Sequence, residues 1–413
     1  MKFQTFDSLK FQNFRLLWFG NLCVNAADWL QILTVGWLIL EITDGDTVIT
    51  GAVLALRTLP VFLIGPWAGV LADKFDRRSL IKITQTMMAV LAVSFAILVS
   101  VSDFTSSGVS GPLQPWHLFV YVGITGISVS IIRPVRQSLV ANVVPLESLR
   151  NATALNALTR TTARLVAPAA GGMLIYLVGF KWNFYIEALC YLGITLSMLR
   201  MQTPYGNKPT QKKVSVFKDL YSGIEYISKN RALAQAITIS FVPTCIFQPL
   251  VFILPIYVSS VLNEGPAVGG TLLAIMGLGG VSTSFYLASK DFPLKKGLTI
   301  ILALIVGCIA ISAMSLSNLI IVAYIMFLIL GICQTNIRVG ANTLIQEIVP
   351  DDLRGRVTSI YNFDNGFTAI AILVLGILFN YINVGQALFY VAGLAGAIGF
   401  LYLLLAKSLR NIK

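Results

Sequence analysis

Apolar runs of about 20 residues or more recur along the whole chain, separated by short polar connections; the stretches 83–101 and 298–332 are examples. A hydrocarbon layer ~30 Å thick needs about 20 residues of helix at ~1.5 Å each, so the pattern predicts membrane-crossing helices. Twelve are expected, near 13–42, 47–73, 79–102, 116–142, 150–179 and 182–201, then 231–262, 266–289, 296–316, 318–347, 353–381 and 385–406. The longest non-membrane stretch divides them into six and six. The expected fold is thus an all-α membrane protein with a six-helix N-terminal half (1–201), a linker (202–230) and a six-helix C-terminal half (231–413).

The linker has a pattern of its own. In "SVFKDLYSGIEYISKNR" a helix would align Val216, Phe217, Leu220, Ile224 and Ile227 on one stripe, with Lys218, Asp219, Glu225 and Lys229 elsewhere. That is the pattern of a helix lying in a membrane interface.

Composition agrees: 56% of residues are hydrophobic and 12% charged. Soluble domains are about one-quarter charged, which argues against a large soluble core. Lys74, Arg77, Arg78, Lys82, Arg150, Lys290, Lys295, Lys296, Arg354 and Arg356 crowd alternate connections, and Lys208, Lys212, Lys213 and Lys218 lie in the linker. The connections between carry Asp44, Asp46, Asp103 and Glu264, with Lys181 their one basic residue. The positive-inside rule then puts both termini and the linker in the cytoplasm. Topology accounts for the net charge of +12, and no nucleic-acid partner is expected. The five cysteines, at 23, 190, 245, 308 and 333, lie scattered in apolar segments, and His117 is the single histidine. No metal site, cofactor or histidine-based catalysis is expected. Nor is a cleaved signal peptide, because no short apolar stretch with a small-residue cleavage site opens the chain.

The two halves are related. "IRPVRQSLVANVVP" (132–145) aligns without a gap to "IRVGANTLIQEIVP" (337–350), setting Arg133 against Arg338 and Pro145 against Pro350. Six spans repeated in one orientation describe parallel halves about an axis along the membrane normal, one architecture of secondary transporters.

"GVLADKFDRRSLI" at the exit of the second span raises the question of family. Gly69, Leu71, Ala72, Asp73, Lys74, Arg77 and Arg78 resemble the loop 2–3 signature of the major facilitator superfamily, with Asp76 where glycine is common. The resemblance implies that Asp73 latches the outward-facing state near the start of span 11, where helix-end and guanidinium charges suit a carboxylate. The alternative is that these charges only set topology. "ARLVAPAAGGMLI" in span 5 resembles the superfamily's exporter pattern: Pro168, Gly171 and Gly172 match, while Ala167 replaces a glycine. "GIEYISKNRALAQAI" and "VPDDLRGRVTSI" extend the resemblance toward the enterobactin-exporter and macrolide-efflux branch.

Ionisable residues at bilayer depth by default mark a pathway or a buried pair. They are Asp28, Arg57, Arg133, Arg136, Arg160, Arg164, Glu187, Arg338 and Asp364. The resemblance places spans 1, 4, 7 and 10 around the central cavity, and with them Asp28, Arg133 and Arg338. Two readings of Asp28 stand: proton carrier, or permanent structural partner of Arg57 or Arg133. Asp364 is expected to pair with Arg338 or Arg160. The surplus of arginine suits an anionic or polyhydroxylated small molecule such as a siderophore. Asn21, Asn25, Gln31, Gln334, Asn336, Asn362 and Asn365 could bond substrate or join helices.

The expected function is alternating-access export of a siderophore, macrolide or other drug-like compound by a monomer, coupled to protons. The alternatives are a lipid or lysolipid translocator of the same fold and, more remotely, a polytopic membrane enzyme. Importers fit the span 5 motif less well.

Overall fold

The computed structural model describes residues 6–74, 76–105, 108–205, 216–289, 294–362 and 365–410. They are almost entirely helical: α1 Gln12–Ile42, α2 Thr47–Lys74, α3 Arg77–Ser100, α4 Pro115–Leu139, α5 Leu149–Val178, α6 Lys181–Arg200, α7 Val216–Lys229 and α8 Arg231–Phe252. There follow α9 Leu254–Tyr257, α10 Pro266–Ser289, α11 Lys296–Ser315, α12 Ile320–Ile348, α13 Asp351–Asn362, α14 Asn365–Tyr381, α15 Val384–Leu405 and α16 Lys407–Arg410. A small hairpin, β1 Asp103–Thr105 with β2 Gly108–Ser110, joins α3 to α4.

Ten helices among the described residues are long and apolar enough to cross a membrane, and α14 contains a shorter apolar stretch. The remaining two expected spans correspond to α6 and to α13 with α14. Asn183, Tyr185, Glu187 and Tyr191 interrupt the apolar run of α6, which keeps it out of the ten.

Local chemistry sets the boundaries. Asp44 and Gly45 take positive φ, +49° and +85°, to turn α1 into α2, and Gly179 at φ +87° ends α5. Asn230 and Asn383 cap α8 and α15 by accepting from the Leu233 and Gly385 amides. The run 231–262, expected as one span, is interrupted at Ile253, two residues before Pro255, which cannot donate to the ladder, whereas Pro243 and Pro249 lie inside α8. A π-turn, Val258–Leu262, then closes on Asn263 in the left-handed conformation at φ +54°. The repeat is kept at its end but not throughout: α4, which contains Pro134, passes into a 3-10 turn at Val140, whereas α12 runs unbroken to Ile348.

The helices form two compact units. The first comprises 1–46, 56–212 and 265–274. Its core gathers Phe14, Leu17, Val24 and Ala27 of α1, Met88 of α3, Ile132 and Val135 of α4, Leu155 of α5 and Ile194 of α6. Lipid rewards apolar burial little, so close backbone approach matters more. A Cβ on Gly20 would stand 2.8 Å from Ile194 Cγ1. Outward, α3 presents Ile83, Val90 and Ile97, a lipid-facing stripe.

The second unit comprises 47–55, 213–264 and 275–413. Here α7 docks on α13 and the end of α12: Arg356 Nη1 donates to Ser222 Oγ at 3.0 Å, Tyr226 OH to the Ile348 carbonyl at 3.3 Å, and a Cβ on Gly223 would meet Ile360 Cδ1 at 2.6 Å. Tyr221 and Ile224 stay exposed. The linker helix therefore leaves part of the expected apolar stripe outward while its Ser222–Gly223–Tyr226 side is anchored to protein.

Asp76, immediately before α3, accepts from the Ser79 amide at 2.8 Å. That bond, with Arg78 and Lys82 nearby, holds its carboxyl below the usual range. A depressed folded value means stability present above the unfolded value, ~3.9, and lost as pH falls through the folded one. Asp76→Ala should cost about 1 kcal/mol at neutral pH. Thermal unfolding in detergent should show the gap from wild type closing below about pH 4; a gap independent of pH would contradict this account of the cap.

Candidate functional site

The site is built on one stripe of α1. Asn21, Asn25, Asp28, Gln31 and Thr34 recur every three or four residues and are all buried inside the first unit. Each needs a partner from a neighbouring helix, because unpaired polar groups are costly away from water. Asn21 Nδ2 donates to Asn156 Oδ1 at 2.7 Å and Asn25 Nδ2 to Thr159 Oγ1 at 2.9 Å, fastening α5. Asn183 Nδ2 of α6 donates to Thr34 Oγ1 at 2.8 Å and to the Gly171 carbonyl at 3.1 Å. Of the neutral polar residues singled out in the sequence, Asn21 and Asn25 thus join helices. Gln334 does so in the second unit, donating to Gln248 at 2.9 Å.

Asp28 sits at the centre of the stripe, 7% exposed. One carboxylate oxygen lies 3.9 Å from Arg57 Nη2 and the other 3.9 Å from Arg133 Nη2. Neither separation is a hydrogen bond, and Oδ1 is buried without one. The two arginines differ. Arg57, 6% exposed, also donates from Nε to Gln31 Oε1 at 3.0 Å and from Nη2 to the Asp28 carbonyl at 3.3 Å. Arg133 has a side chain 51% exposed. Gly126 of α4 lets that helix approach: a Cβ there would stand 2.8 Å from the Arg57 carbonyl oxygen. Arg136 is buried one turn from Arg133 and reaches Asn21 Oδ1 at 3.4 Å.

The structure thus brings Asp28, Arg57, Arg133 and Arg136 together, and Glu187 joins them through Gln31. Arg338 is exposed on α12, at the repeat-related position to Arg133. Asp364 lies outside the described residues, as do the side chains of Gly69, Asp73 and Lys74. Arg78 of the loop signature lies on the C-terminus of α6, donating to the carbonyls of Met198 and Leu199, which lack helical partners.

The span 5 motif packs inside the same unit. Gly172 faces Gly270 of α10, with 3.2 Å from a Cβ to the Gly270 Cα, and the Pro266 carbonyl lies closer still; Gly270 in turn lies under the Pro168 carbonyl. Gly171 faces Leu30 and Asn183, and Ala167 is buried beside them on α5.

The chain matches the profile of the transmembrane secretion effector family over residues 3–412. It belongs to that family of major facilitator transporters. Its relatives include the staphyloferrin A transporter of Staphylococcus aureus (strain NCTC 8325 / PS 47), 22% identical over 362 residues, covering 88% of this chain and 86% of the relative. Macrolide efflux protein A of Streptococcus pyogenes is 20% identical over 288 residues, covering 65% and 68%. Among solved structures, a D-xylose–proton symporter superposes with a TM-score of 0.72 at 12% identity, covering 95% of this chain and 97% of that one. At that identity the likeness establishes the fold alone. This chain is a multi-pass membrane transporter handling a small molecule within the bilayer, and not an enzyme.

Sequence reasoning did not foresee Tyr121 and Tyr191, whose rings are fully buried beside Glu187. Their signal was present: Glu187 and Tyr191 are four apart on one face of α6.

Because Gly172 meets backbone, Gly172→Val has no flexible neighbour to displace. It should cost at least about 1–3 kcal/mol, read as a lower melting temperature in detergent. Gly393→Val, at a glycine with open space beyond it, should leave that temperature nearly unchanged.

Proposed function

We propose that this family member is a twelve-span, monomeric inner-membrane exporter with parallel six-helix halves, working by alternating access and proton antiport. The carrying observation is Asp28: a buried carboxylate suspended 3.9 Å from two arginines, one buried and one half exposed. Ion pairs at that separation hold charge without the hydrogen bonds that would make the pair permanent. Antiport needs proton and substrate to exclude each other at one group. Ionised Asp28, beside half-exposed Arg133, accepts from the hydroxyl or amino donors of a polyhydroxylated or basic substrate, and a proton on Asp28 removes that acceptor and releases the substrate. The relatives' names add two substrate classes for this chain: a siderophore and a macrolide. Asp73 is proposed as the conformational latch on the family resemblance.

Asp28→Asn tests the assignment. Arg57 keeps two acceptors in that variant, Gln31 Oε1 and the Asp28 backbone carbonyl. The protein should therefore fold with a melting temperature near wild type. In proteoliposomes it should lose pH-gradient-driven transport of staphyloferrin A or erythromycin, whichever the wild type moves, while keeping downhill exchange. Proton flux at wild-type rate in a folded Asp28→Asn protein would remove Asp28 from the mechanism. A joint collapse of stability and transport, as expected on losing half of a buried ion pair at ~3–5 kcal/mol, would instead make it structural.

Orientation has an independent test. Alkaline phosphatase fused after Asp46 should be active and fused within 206–213 inactive; the reverse would overturn the cytoplasmic termini.

A further inference from the structure

The cluster holds a second carboxyl that the antiport reading leaves idle. Glu187 is 1% exposed on α6. Its Oε1 accepts from Gln31 Nε2 at 2.6 Å and from Tyr121 OH at 2.7 Å, while Gln31 Nε2 also lies 3.3 Å from the Tyr121 oxygen. The Tyr191 hydroxyl is buried beside the same carboxyl, outside hydrogen-bonding geometry. Among the described residues no cation stands within ion-pair distance of Glu187.

The orientation of Gln31 is fixed rather than arbitrary. A guanidinium only donates, so the Arg57 Nε contact at 3.0 Å commits Gln31 to presenting its carbonyl there. Its amide N–H2 must then face Glu187, and it needs an acceptor. Arg57 meanwhile reaches Asp28 through Nη2, at the backbone carbonyl and the carboxylate. Glu187, Gln31, Arg57 and Asp28 therefore form one continuous series, two carboxyls at its ends and a single buried cation between them.

Other charges face it from each neighbouring helix. From α4 come Tyr121, Arg133 and Arg136, and from α5 Arg160; on α6 itself Cys190 and Tyr191 flank Glu187. Packed along α6, α3 contributes no ionisable residue between Lys82 and Asp103.

We propose that Glu187 is a second proton-carrying carboxyl, and that it shares its charge state with Asp28 through Gln31 and Arg57. The coupling is electrostatic: Gln31 and Arg57 transmit polarisation and carry no proton themselves. When Asp28 is ionised, Arg57 is drawn to it and its bond to Gln31 weakens. When Asp28 takes a proton, Arg57 turns to Gln31, whose amide then holds an ionised Glu187 more firmly. The two carboxyls thus disfavour the same charge state at once. This rests on the proton-antiport reading, and it explains how a proton taken from the half-exposed side could be registered at a site sealed from water.

Infrared difference spectra of the purified protein in lipid nanodiscs, recorded between pH steps, read protonated carboxyls directly and need no transported substrate. Wild type should show two buried carboxyl signals. Glu187→Gln should remove one and move the midpoint of the other by about one pH unit, and Asp28→Asn should do the reciprocal. Tyr121→Phe removes one donor to Glu187 while keeping the ring, so it should move the Glu187 midpoint and serves if Glu187→Gln fails to fold. A signal set unchanged by Glu187→Gln, or midpoints unmoved by the opposite variant or by Tyr121→Phe, would overturn the proposal. Wild-type proteoliposomes lacking substrate-dependent proton flux would instead overturn antiport, whatever the spectra show.

Discussion

Arg57 is the constraint on which the first unit depends. It projects from α2 into a region with almost no access to water, and a guanidinium cannot shed its charge there. Every donor must find an acceptor within the protein. Two of those acceptors, Gln31 Oε1 and the Asp28 backbone carbonyl, come from α1, so the cation dictates how α1 and α2 align. Gln31, once committed to Arg57, dictates what α6 and α4 must present, and Glu187 and Tyr121 follow. Gly126 completes the arrangement by admitting α4 against the Arg57 backbone. Interhelical hydrogen bonds in membranes average only about 0.6 kcal/mol. Their effect here is chiefly on register: a one-residue rotation of α1 would strand several buried polar groups together.

Most of the fold was legible in the sequence because lipid imposes a length on every apolar run. Span positions agree with helix ends to within a few residues wherever the connection carries a cap or a positive-φ residue, as at Asp44–Gly45 and Asp76. The departures have local causes. The run expected from 231 to 262 is interrupted at Ile253, just before Pro255, and the repeat motif concealed that α4 ends in a 3-10 turn where α12 continues. The α7 amphipathic pattern was visible, but its anchorage was not. Ser222, Gly223 and Tyr226 contribute little to a hydropathy pattern, yet they make the contacts with α13 and the end of α12.

The site was legible as a set of charges and illegible as a network. Asp28, Arg57, Arg133 and Arg136 stand out because charge in an apolar run is expensive. What sequence cannot rank is distance: Asp28 could equally have paired with either arginine, and the structure sets it 3.9 Å from both. Asn21 and Asn25 read equally well as substrate contacts or as helix ties until Asn156 and Thr159 were seen to face them.

Within each unit the buried polar chemistry has a distinct character. Among the described residues, the buried acidic and basic side chains Asp28, Arg57, Arg136 and Glu187 all belong to the first unit. Buried polar residues of the second unit are hydroxyl-bearing: Thr50, Ser240, Thr283, Thr299, Ser315 and Thr368. Ser240, Thr283 and Thr299 donate to the carbonyl four residues back on their own helices, which satisfies the hydroxyl without asking anything of a neighbour. Three ties between helices in this unit, Gln334 to Gln248, Thr368 to the Thr244 carbonyl and Tyr257 to the Met314 carbonyl, join neutral groups. In the first unit, by contrast, moving α1 against α2, α4 or α6 breaks a bond to a charged group. Any step that changes the charge of Asp28 or Glu187 must therefore be paid for inside this one bundle, where Arg57 is the common partner.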